Sequence, residues 1–127
     1  MAIEFDETFA AIGSEDFGRA LAFYSAILGR EPDERLGDGY AAFRLPGLRL
    51  GIFRPKRGGA ADFANPPGRR AGLNLVFRVA SLDRALAEVE GAGGSATSAF
   101  ATSHGREAYA YDPDGNRLIL VESTPRP

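Results

Sequence analysis

The first half of the chain changes from strand-like to helix-like hydrophobic spacing and then back again. Residues 8–13 form a short apolar run that is typical of a buried strand. Apolar side chains next recur every three or four positions, which predicts a helix that Ser14 or Asp16 caps and Gly29 ends. The residues of this helical stripe are Phe17, Ala20, Leu21, Tyr24 and Leu28. Three further runs, residues 30–36, 40–44 and 48–54, predict three strands.

The same order of patterns returns in the second half of the chain. Residues 73–79 (LNLVFRV) predict a strand, and Ser81 is a helix cap for a segment that continues to about Gly91. Gly93 and Gly94 then end the helix. Strands are predicted at residues 96–101, 107–111 and 117–122, with the turn sequence DPDG at residues 112–115 between the last two. The chain therefore predicts a βαβββ unit used twice.

Short sequence echoes support an internal duplication. The segment RALA at residues 19–22 recurs 65 residues later, and the pair Arg49 and Leu50 recurs 68 residues later as Arg117 and Leu118. We therefore expect one domain over residues 1–127, with module one at about 8–54 and module two at about 73–123. Residues 55–72, rich in Gly, Pro, Ala and Arg, are interpreted as a linker, with a flap over a pocket as the alternative.

Composition excludes several classes of function. The chain has 127 residues and no cysteine, which excludes disulfides, zinc–thiolate sites and a cysteine nucleophile. A net charge of −2 gives no electrostatic surface for nucleic acid. No apolar run approaches the roughly 20 residues of a membrane span, and the amino terminus lacks the basic start of a secretory signal. We expect a cytoplasmic protein that binds neither nucleic acid nor membrane.

Three motifs, in order and at matching spacing, resemble the vicinal oxygen chelate superfamily of glyoxalases, bleomycin resistance proteins and extradiol dioxygenases. They are residues 16–24 (DFGRALAFY) with Leu28 and Gly29, residues 79–83 (VASLD) with the following glycines, and residues 105–116 (GREAYAYDPDGN). The resemblance covers nearly the whole chain. It implies an α+β glyoxalase/bleomycin-resistance fold, in which two βαβββ modules form a U-shaped mixed sheet around a cavity with the helices outside. It also implies a small-molecule ligand in the cavity and a homodimer.

The resemblance further implies four metal-ligand positions, two on the first strands and two on the last strands of the modules. Motif distances place these positions at Phe9, Gly51, Asn74 and Ile119. Only Asn74 offers a donor atom, and a neutral amide oxygen does not hold Zn²⁺, Ni²⁺ or Fe²⁺ by itself. The only histidine, His104, lies far from the first-strand positions. We expect no metal and no cofactor.

Strand side chains alternate between faces, so the four positions predict which other residues face the cavity. Arg49 and Arg117, related by the repeat, either flank one carboxylate or phenolate or extend into water at the rim. His104 either contacts a ligand, as an aromatic or acid–base group, or is a surface residue. The residues predicted to bind the ligand are Phe9, Arg49, Gly51, Phe53, Asn74, Arg78, His104, Tyr109, Arg117 and Ile119.

These expectations lead to a main functional hypothesis and three alternatives. The main hypothesis is a metal-free protein of the bleomycin-resistance kind that binds or sequesters a small apolar or aromatic molecule. The first alternative is a metal-independent lyase or isomerase that uses His104 or a tyrosine for proton transfer. The others are a metal-dependent enzyme resembling glyoxalase or dioxygenase, and an interaction module whose cavity is filled by Phe9 and Phe53.

Overall fold

The computed structural model describes residues 6–56, 72–103 and 105–123, together with Ala2, Glu4 and Phe63. The first module contains one helix and four strands. In chain order these are β1 (Ala10–Gly13), α1 (Phe17–Leu28), β2 (Glu34–Leu36), β3 (Tyr40–Leu45) and β4 (Leu48–Phe53). Its sheet has the order β1-β4-β3-β2, with β1 parallel to β4 and the other neighbours antiparallel.

The second module repeats this arrangement with one extra strand. Its elements are β5 (Leu75–Arg78), α2 (Leu82–Gly91), β6 (Ser95–Ala96), β7 (Phe100–Thr102), β8 (Gly105–Tyr111) and β9 (Arg117–Ser123). The sheet has the order β5-β9-β8-β6, and β7 also pairs with β8. Strand β5 is parallel to β9, as β1 is to β4. The predicted α+β fold of two βαβββ modules is confirmed.

The helix ends lie where the sequence places them, for local reasons. Asp16 caps α1, and its Oδ1 accepts a hydrogen bond from the backbone N–H of Arg19 at 3.2 Å. Gly29 ends α1 with a φ of 65°, a left-handed conformation that suits glycine. Ser81 caps α2 by accepting from the N–H of Arg84 at 3.3 Å. These caps fix where each helix turns back toward its sheet.

The hydrophobic core lies between each helix and one face of its sheet. Alternate strand residues point into this core, as the period of two predicts. The fully buried strand residues on the helix side of the first sheet are Ala41, Phe43, Leu50 and Ile52. Their counterparts in the second sheet are Ala108, Ala110, Leu118 and Leu120. The intervening residues therefore occupy the opposite face of each sheet.

Two predicted strands differ from the observed ones. The run at residues 30–36 becomes a strand only from Glu34, because Pro32 has no N–H to donate to a neighbouring strand. The run at residues 96–101 is divided into β6 and β7. Between them Thr97 uses its hydroxyl both to accept from the N–H of Tyr109 and to donate to its carbonyl oxygen. One extra residue is accommodated there as a bulge.

Helix α1 of the first module is joined to the turn between β8 and β9 of the second. The Tyr24 hydroxyl donates a 2.7 Å hydrogen bond to Oδ2 of Asp112, and both side chains are buried. Oδ1 of Asp112 accepts from the backbone N–H groups of Asp114 and Asn116, each at 2.9 Å. Burial, together with Asp112, raises the pKa of Tyr24 well above its ordinary value, so this phenol stays protonated.

The segment that joins the two modules, residues 55–72, was interpreted as a linker or flap. Most of it lies outside the described residues. Within it Phe63 is described, and its ring packs edge-on against Phe53 with centroids 5.1 Å apart.

Neither helix in the described part of the chain has the length and apolar content that a membrane crossing requires.

We predict that Gly94→Ala destabilises the protein strongly, whereas Gly91→Ala does not. A Cβ at position 94 would collide with the backbone oxygen of Tyr111 and lie 2.8 Å from atoms of Phe23 and Val89. The expected loss is about 3 kcal/mol, the upper range for overpacking. A Cβ at Gly91 meets nothing within 4 Å, and alanine there favours the helix by about 0.5–1 kcal/mol. Urea unfolding of both variants measures the difference, and equal stabilities would contradict this packing.

We also predict that Asp114→Asn stabilises the protein at neutral pH and that the gain disappears in acid. Burial raises the pKa of Asp114, with Asp112 and Asp16 also raising it, while the Ser14 hydroxyl and Arg19 lower it. The folded protein therefore holds this charge at a cost above the raised pKa, and the cost vanishes below the ordinary value of 3.8.

Because Asp114 is only half-buried, the expected gain is about 0.5 kcal/mol. Thermal unfolding between pH 7 and pH 3 measures it, with Asp6→Asn at an exposed position as the control. A stability difference that persists at pH 3 would show that the gain comes from something other than the carboxylate charge.

Candidate functional site

A pocket of about 340 Å³ lies where the first strands of the two modules approach each other. Its wall is formed by residues 9–12 of the first module, residues 73–75 and 116–118 of the second, and Tyr24 of α1. The wall is mostly apolar, and its polar side chains come mainly from the second module. A small, mainly apolar volume with few polar groups is the usual form of a small-molecule site.

Three residues predicted from the sequence line this one pocket. Phe9, Asn74 and Arg117 come from three separate segments and meet around the same cavity. Phe9 and Asn74 stand immediately before β1 and β5, and Arg117 is the first residue of β9. The duplicated topology explains their meeting, because β1 and β5 are each an edge strand of a module.

Two polar atoms at the pocket lack hydrogen-bond partners. They are Oδ1 of Asn74 and Nε of Arg117, both enclosed by protein. A buried donor or acceptor without a partner costs about 1–3 kcal/mol, so folded proteins contain few of them. Both residues line the pocket, and these two atoms themselves have almost no accessible surface.

Arg117 is held by an aromatic ring rather than by an acid. Its guanidinium carbon lies 5.2 Å from the centroid of the Tyr109 ring, which packs edge-on against Phe100 at 5.5 Å. Tyr109 stands opposite Ile119 in the register of β8 and β9, so Tyr109, Arg117 and Ile119 share one face. Within the described ranges Arg117 forms no ion pair.

Arg49, the repeat-related arginine, is paired through its two terminal nitrogens, while its Nε, like that of Arg117, has no partner. Its guanidinium donates to Glu7 at 2.8 Å, to Glu34 at 3.4 Å and to the Tyr40 hydroxyl at 3.0 Å. It also lies over the Phe9 ring, 4.6 Å from the centroid. The hydrogen bond with Glu7 is the main cause that raises the pKa of Arg49 above its ordinary value. Unlike Arg117, Arg49 is thus surrounded by protein carboxylates.

The four positions that the resemblance assigns to metal ligands do not fit a divalent cation. Gly51 stands beside Ala11, and Ile119 beside Val76, on the faces turned away from the helices. A Cβ at Gly51 would lie 3.2 Å from the Tyr40 hydroxyl, so even a small side chain there is crowded. The donor set reduces to the amide oxygen of Asn74. No three His, Cys, Asp or Glu side chains of the described residues group as a metal site.

The other predicted site residues that the structure describes do not line the pocket. Phe53 packs against Phe63 and Gly13, and Arg78 is an exposed residue at the end of β5. Gly51 and Ile119 lie on the sheet faces that are turned away from the helices, and neither contributes to the pocket wall. His104, which was also predicted to bind the ligand, lies outside the described residues.

Sequence reasoning missed wall residues in both modules, namely Ala10, Ile12, Leu73, Leu75, Asn116 and Leu118. A signal for Asn116 existed, since it directly follows the DPDG turn and precedes Arg117. Tyr24, interpreted as a core residue, is buried but also contributes to the pocket wall. Glu122, near the end of β9, accepts a 2.6 Å hydrogen bond from the N–H of Leu82 at the start of α2.

The sequence and the fold of this chain were compared with those of known proteins. The family model for the Glyoxalase-like domain matches residues 9–121. A glyoxalase/bleomycin resistance protein from Catenulispora acidiphila is 27% identical, with 92% of this chain and 97% of that chain covered and a TM-score of 0.65. No curated protein matches the sequence.

Two solved structures with lower identity share the fold. A glyoxalase-related enzyme from Fulvimarina pelagi is 19% identical, covering 94% of this chain and 89% of that chain with a TM-score of 0.72. A variant of the fosfomycin resistance protein FosX from Listeria monocytogenes, complexed with Mn(II) and a dihydroxypropylphosphonic acid, is 18% identical. It covers 96% of this chain and 93% of that chain, with a TM-score of 0.71. The chain therefore belongs to the glyoxalase-like domain family, within the vicinal oxygen chelate superfamily of glyoxalases, bleomycin resistance proteins and dioxygenases.

Proposed function

We propose that this protein binds a small, largely apolar or aromatic anion without a metal ion, in the pocket between its two modules. The observation that carries the proposal is the meeting of Arg117 and Asn74, each with a polar side-chain atom that lacks a partner, in the mostly apolar wall of one pocket. A carboxylate or phenolate on the ligand accepts from Arg117, and a neighbouring hydroxyl or amide on the ligand donates to Asn74.

The energetics of the pocket favour a small ligand. Its volume of about 340 Å³ lies at the lower end of the range for small-molecule sites. A hydrogen bond to a charged group contributes about 1.5–3 kcal/mol when it is shielded from water. The stacking of Arg117 on Tyr109 restricts the guanidinium, so less side-chain freedom is lost on binding.

In this proposal the guanidinium group of Arg117 supplies the positive charge that a bound metal ion would otherwise supply. The structure of FosX from Listeria monocytogenes contains Mn(II) and an anionic phosphonic acid. In this chain the four positions that the family resemblance assigns to metal ligands carry Phe9, Gly51, Asn74 and Ile119, whose side chains together supply a single neutral oxygen. Arg117 offers a permanent charge, because an arginine side chain stays protonated in proteins. Anion binding then depends on hydrogen bonds and shape.

We predict that replacing Arg117 weakens binding of aromatic carboxylates at least tenfold. The test measures binding of benzoate, salicylate and 1-naphthoate by thermal shift and by NMR titration of the protein amides. Arg117→Gln removes the charge and the Nε donor geometry, and a tenfold loss corresponds to about 1.4 kcal/mol. Arg78→Gln, at an exposed residue outside the pocket, is the matched control and retains full affinity. If wild type and Arg117→Gln bind these ligands equally well, or neither binds any, the proposal is wrong.

We also predict that the protein holds no divalent metal. After dialysis against Mn²⁺, Ni²⁺ or Zn²⁺, elemental analysis is expected to find well under one ion per chain, because the donor set is a single amide oxygen. The melting temperature is likewise expected to be unchanged by EDTA. One tightly held ion per chain would instead support a metal-dependent activity.

A further inference from the structure

We propose that the pocket binds a short N-acylated peptide with a free carboxylate, whose amide groups pair with the backbone of Ala11 while its carboxylate contacts Arg117. This inference rests on the proposed function and deepens it, because it names the chemical class of the anion. The features that carry it are the free edges of β1 and β5, which border the pocket.

The pocket lies along two sheet edges and not on a sheet face. Residues 9–12, which include most of β1, all line it, as do residues 73–75 at the start of β5. Consecutive side chains of a strand point to opposite faces, so a run of consecutive residues borders one cavity only along the edge of the strand. β1 and β5 are edge strands of their sheets, and within the described residues no backbone hydrogen bond joins them. The pocket therefore occupies the space beside two unpaired strand edges.

The hydrogen bonds of β1 show which of its backbone groups are free. The N–H of Ser14 donates to the carbonyl oxygen of Phe53 at 3.0 Å, where it continues the parallel pairing of β1 with β4. Because the backbone groups of successive residues point to opposite edges of a strand, those of Ile12 also face β4 and those of Ala11 face away from it. Ala11 is exposed and lines the pocket. Its N–H and C=O can therefore form the two hydrogen bonds that a neighbouring strand would make.

An extended peptide matches this pair of groups. Each of its residues presents an N–H and a C=O on one side of the backbone, and peptides bind to free sheet edges through such groups. The apolar side chains of Ile12, Leu75 and Leu118 line the same pocket and can surround a peptide side chain. Three residues such as 73–75 span about 10 Å at the rise of a strand, so the pocket suits a ligand of two or three residues.

The charges of the pocket favour an acylated amino terminus and a free carboxylate. Among the described wall residues Arg117 alone is charged, and within the described ranges it forms no ion pair. A terminal carboxylate complements this guanidinium. A free α-ammonium group would instead enter a mostly apolar volume whose described wall offers no acidic side chain, and an unpaired charge in such surroundings is costly.

The experiment measures binding by isothermal titration calorimetry, with N-acetyl-alanyl-leucine as the reference ligand. It is compared with alanyl-leucine, which has a free amino group, and with its own C-terminal carboxamide. Two further analogues each have one of the two amide N–H groups replaced by an ester oxygen. 4-Methylpentanoate supplies a similar apolar group and a carboxylate without any amide. Competition with 1-naphthoate tests whether the dipeptide occupies the same pocket.

Two proline variants test the backbone contact on the protein side. Ala11→Pro removes the free N–H, and proline is tolerated on an edge strand where that N–H does not pair. Val76→Pro is the matched control on β5. The N–H of Val79 donates to the carbonyl oxygen of Val121 at 2.8 Å, so Val76 faces the free edge by the same alternation, but it does not line the pocket. Circular dichroism confirms that each variant is folded.

Wild type is expected to bind the acetylated dipeptide about tenfold more tightly than 4-methylpentanoate, alanyl-leucine or the carboxamide. At least one ester analogue is expected to bind about tenfold more weakly than the dipeptide, because it leaves a backbone acceptor without a donor. Ala11→Pro is expected to weaken dipeptide binding by a similar factor and to leave 1-naphthoate binding unchanged. Val76→Pro is expected to keep full affinity for both ligands.

Three results would each overturn the backbone pairing and leave the proposed function standing, provided that 1-naphthoate binds through Arg117. The dipeptide binds no more tightly than 4-methylpentanoate, both ester analogues bind as tightly as the dipeptide, or a folded Ala11→Pro variant retains full affinity for the dipeptide. If Ala11→Pro does not fold, the ester analogues decide the question with wild-type protein. If neither the dipeptide nor any aromatic carboxylate binds, the pairing and the proposed function are both wrong.

Discussion

The hydrogen bond between Tyr24 and Asp112 connects two halves of the chain that are separate units by topology. It joins α1 of the first module to the turn before β9, and the same Asp112 orders that turn through two backbone N–H groups. Arg19 strengthens the connection by donating to the backbone oxygen of Pro113 at 3.0 Å. Tyr24 and Asn116 are also pocket residues. The relative position of the modules, and hence the pocket between their first strands, depends on this contact.

The chain retains the repeat of its family but uses it asymmetrically. Both modules place an arginine at the start of the last strand, and both arginines lie on aromatic rings. Among the described residues, carboxylates form ion pairs with the arginine in the first module and not in the second. A duplicated framework thus holds one arginine among acids and its counterpart against an aromatic ring alone, where a metal site would require matched donors from both modules. The apolar side chains at Phe9 and Ile119 are consistent with this division.

Much of the fold could be predicted from the sequence because its signals are local. The alternation in β4 and β9, the caps Asp16 and Ser81 and the turn before Asn116 each act within a few residues. The candidate site was predicted less completely, because its arrangement depends on long-range contacts. Nothing near Arg49 in the sequence indicates that Glu7, 42 residues earlier, is its partner. The bulge near Thr97 likewise involves Tyr109, twelve residues away, whose N–H and carbonyl oxygen both bond to the Thr97 hydroxyl.

That bulge affects how the protein behaves among copies of itself. It divides one outer edge of the second sheet into strands of two and three residues, and β2, at an edge of the first sheet, also has three. Long, regular sheet edges recruit other chains through their free backbone groups, which is a common route to aggregation. Short, interrupted edge strands offer an incoming strand few free backbone groups to pair with. The bulge near Thr97 therefore lowers the tendency of the protein to aggregate through this sheet edge, which a longer regular strand would raise.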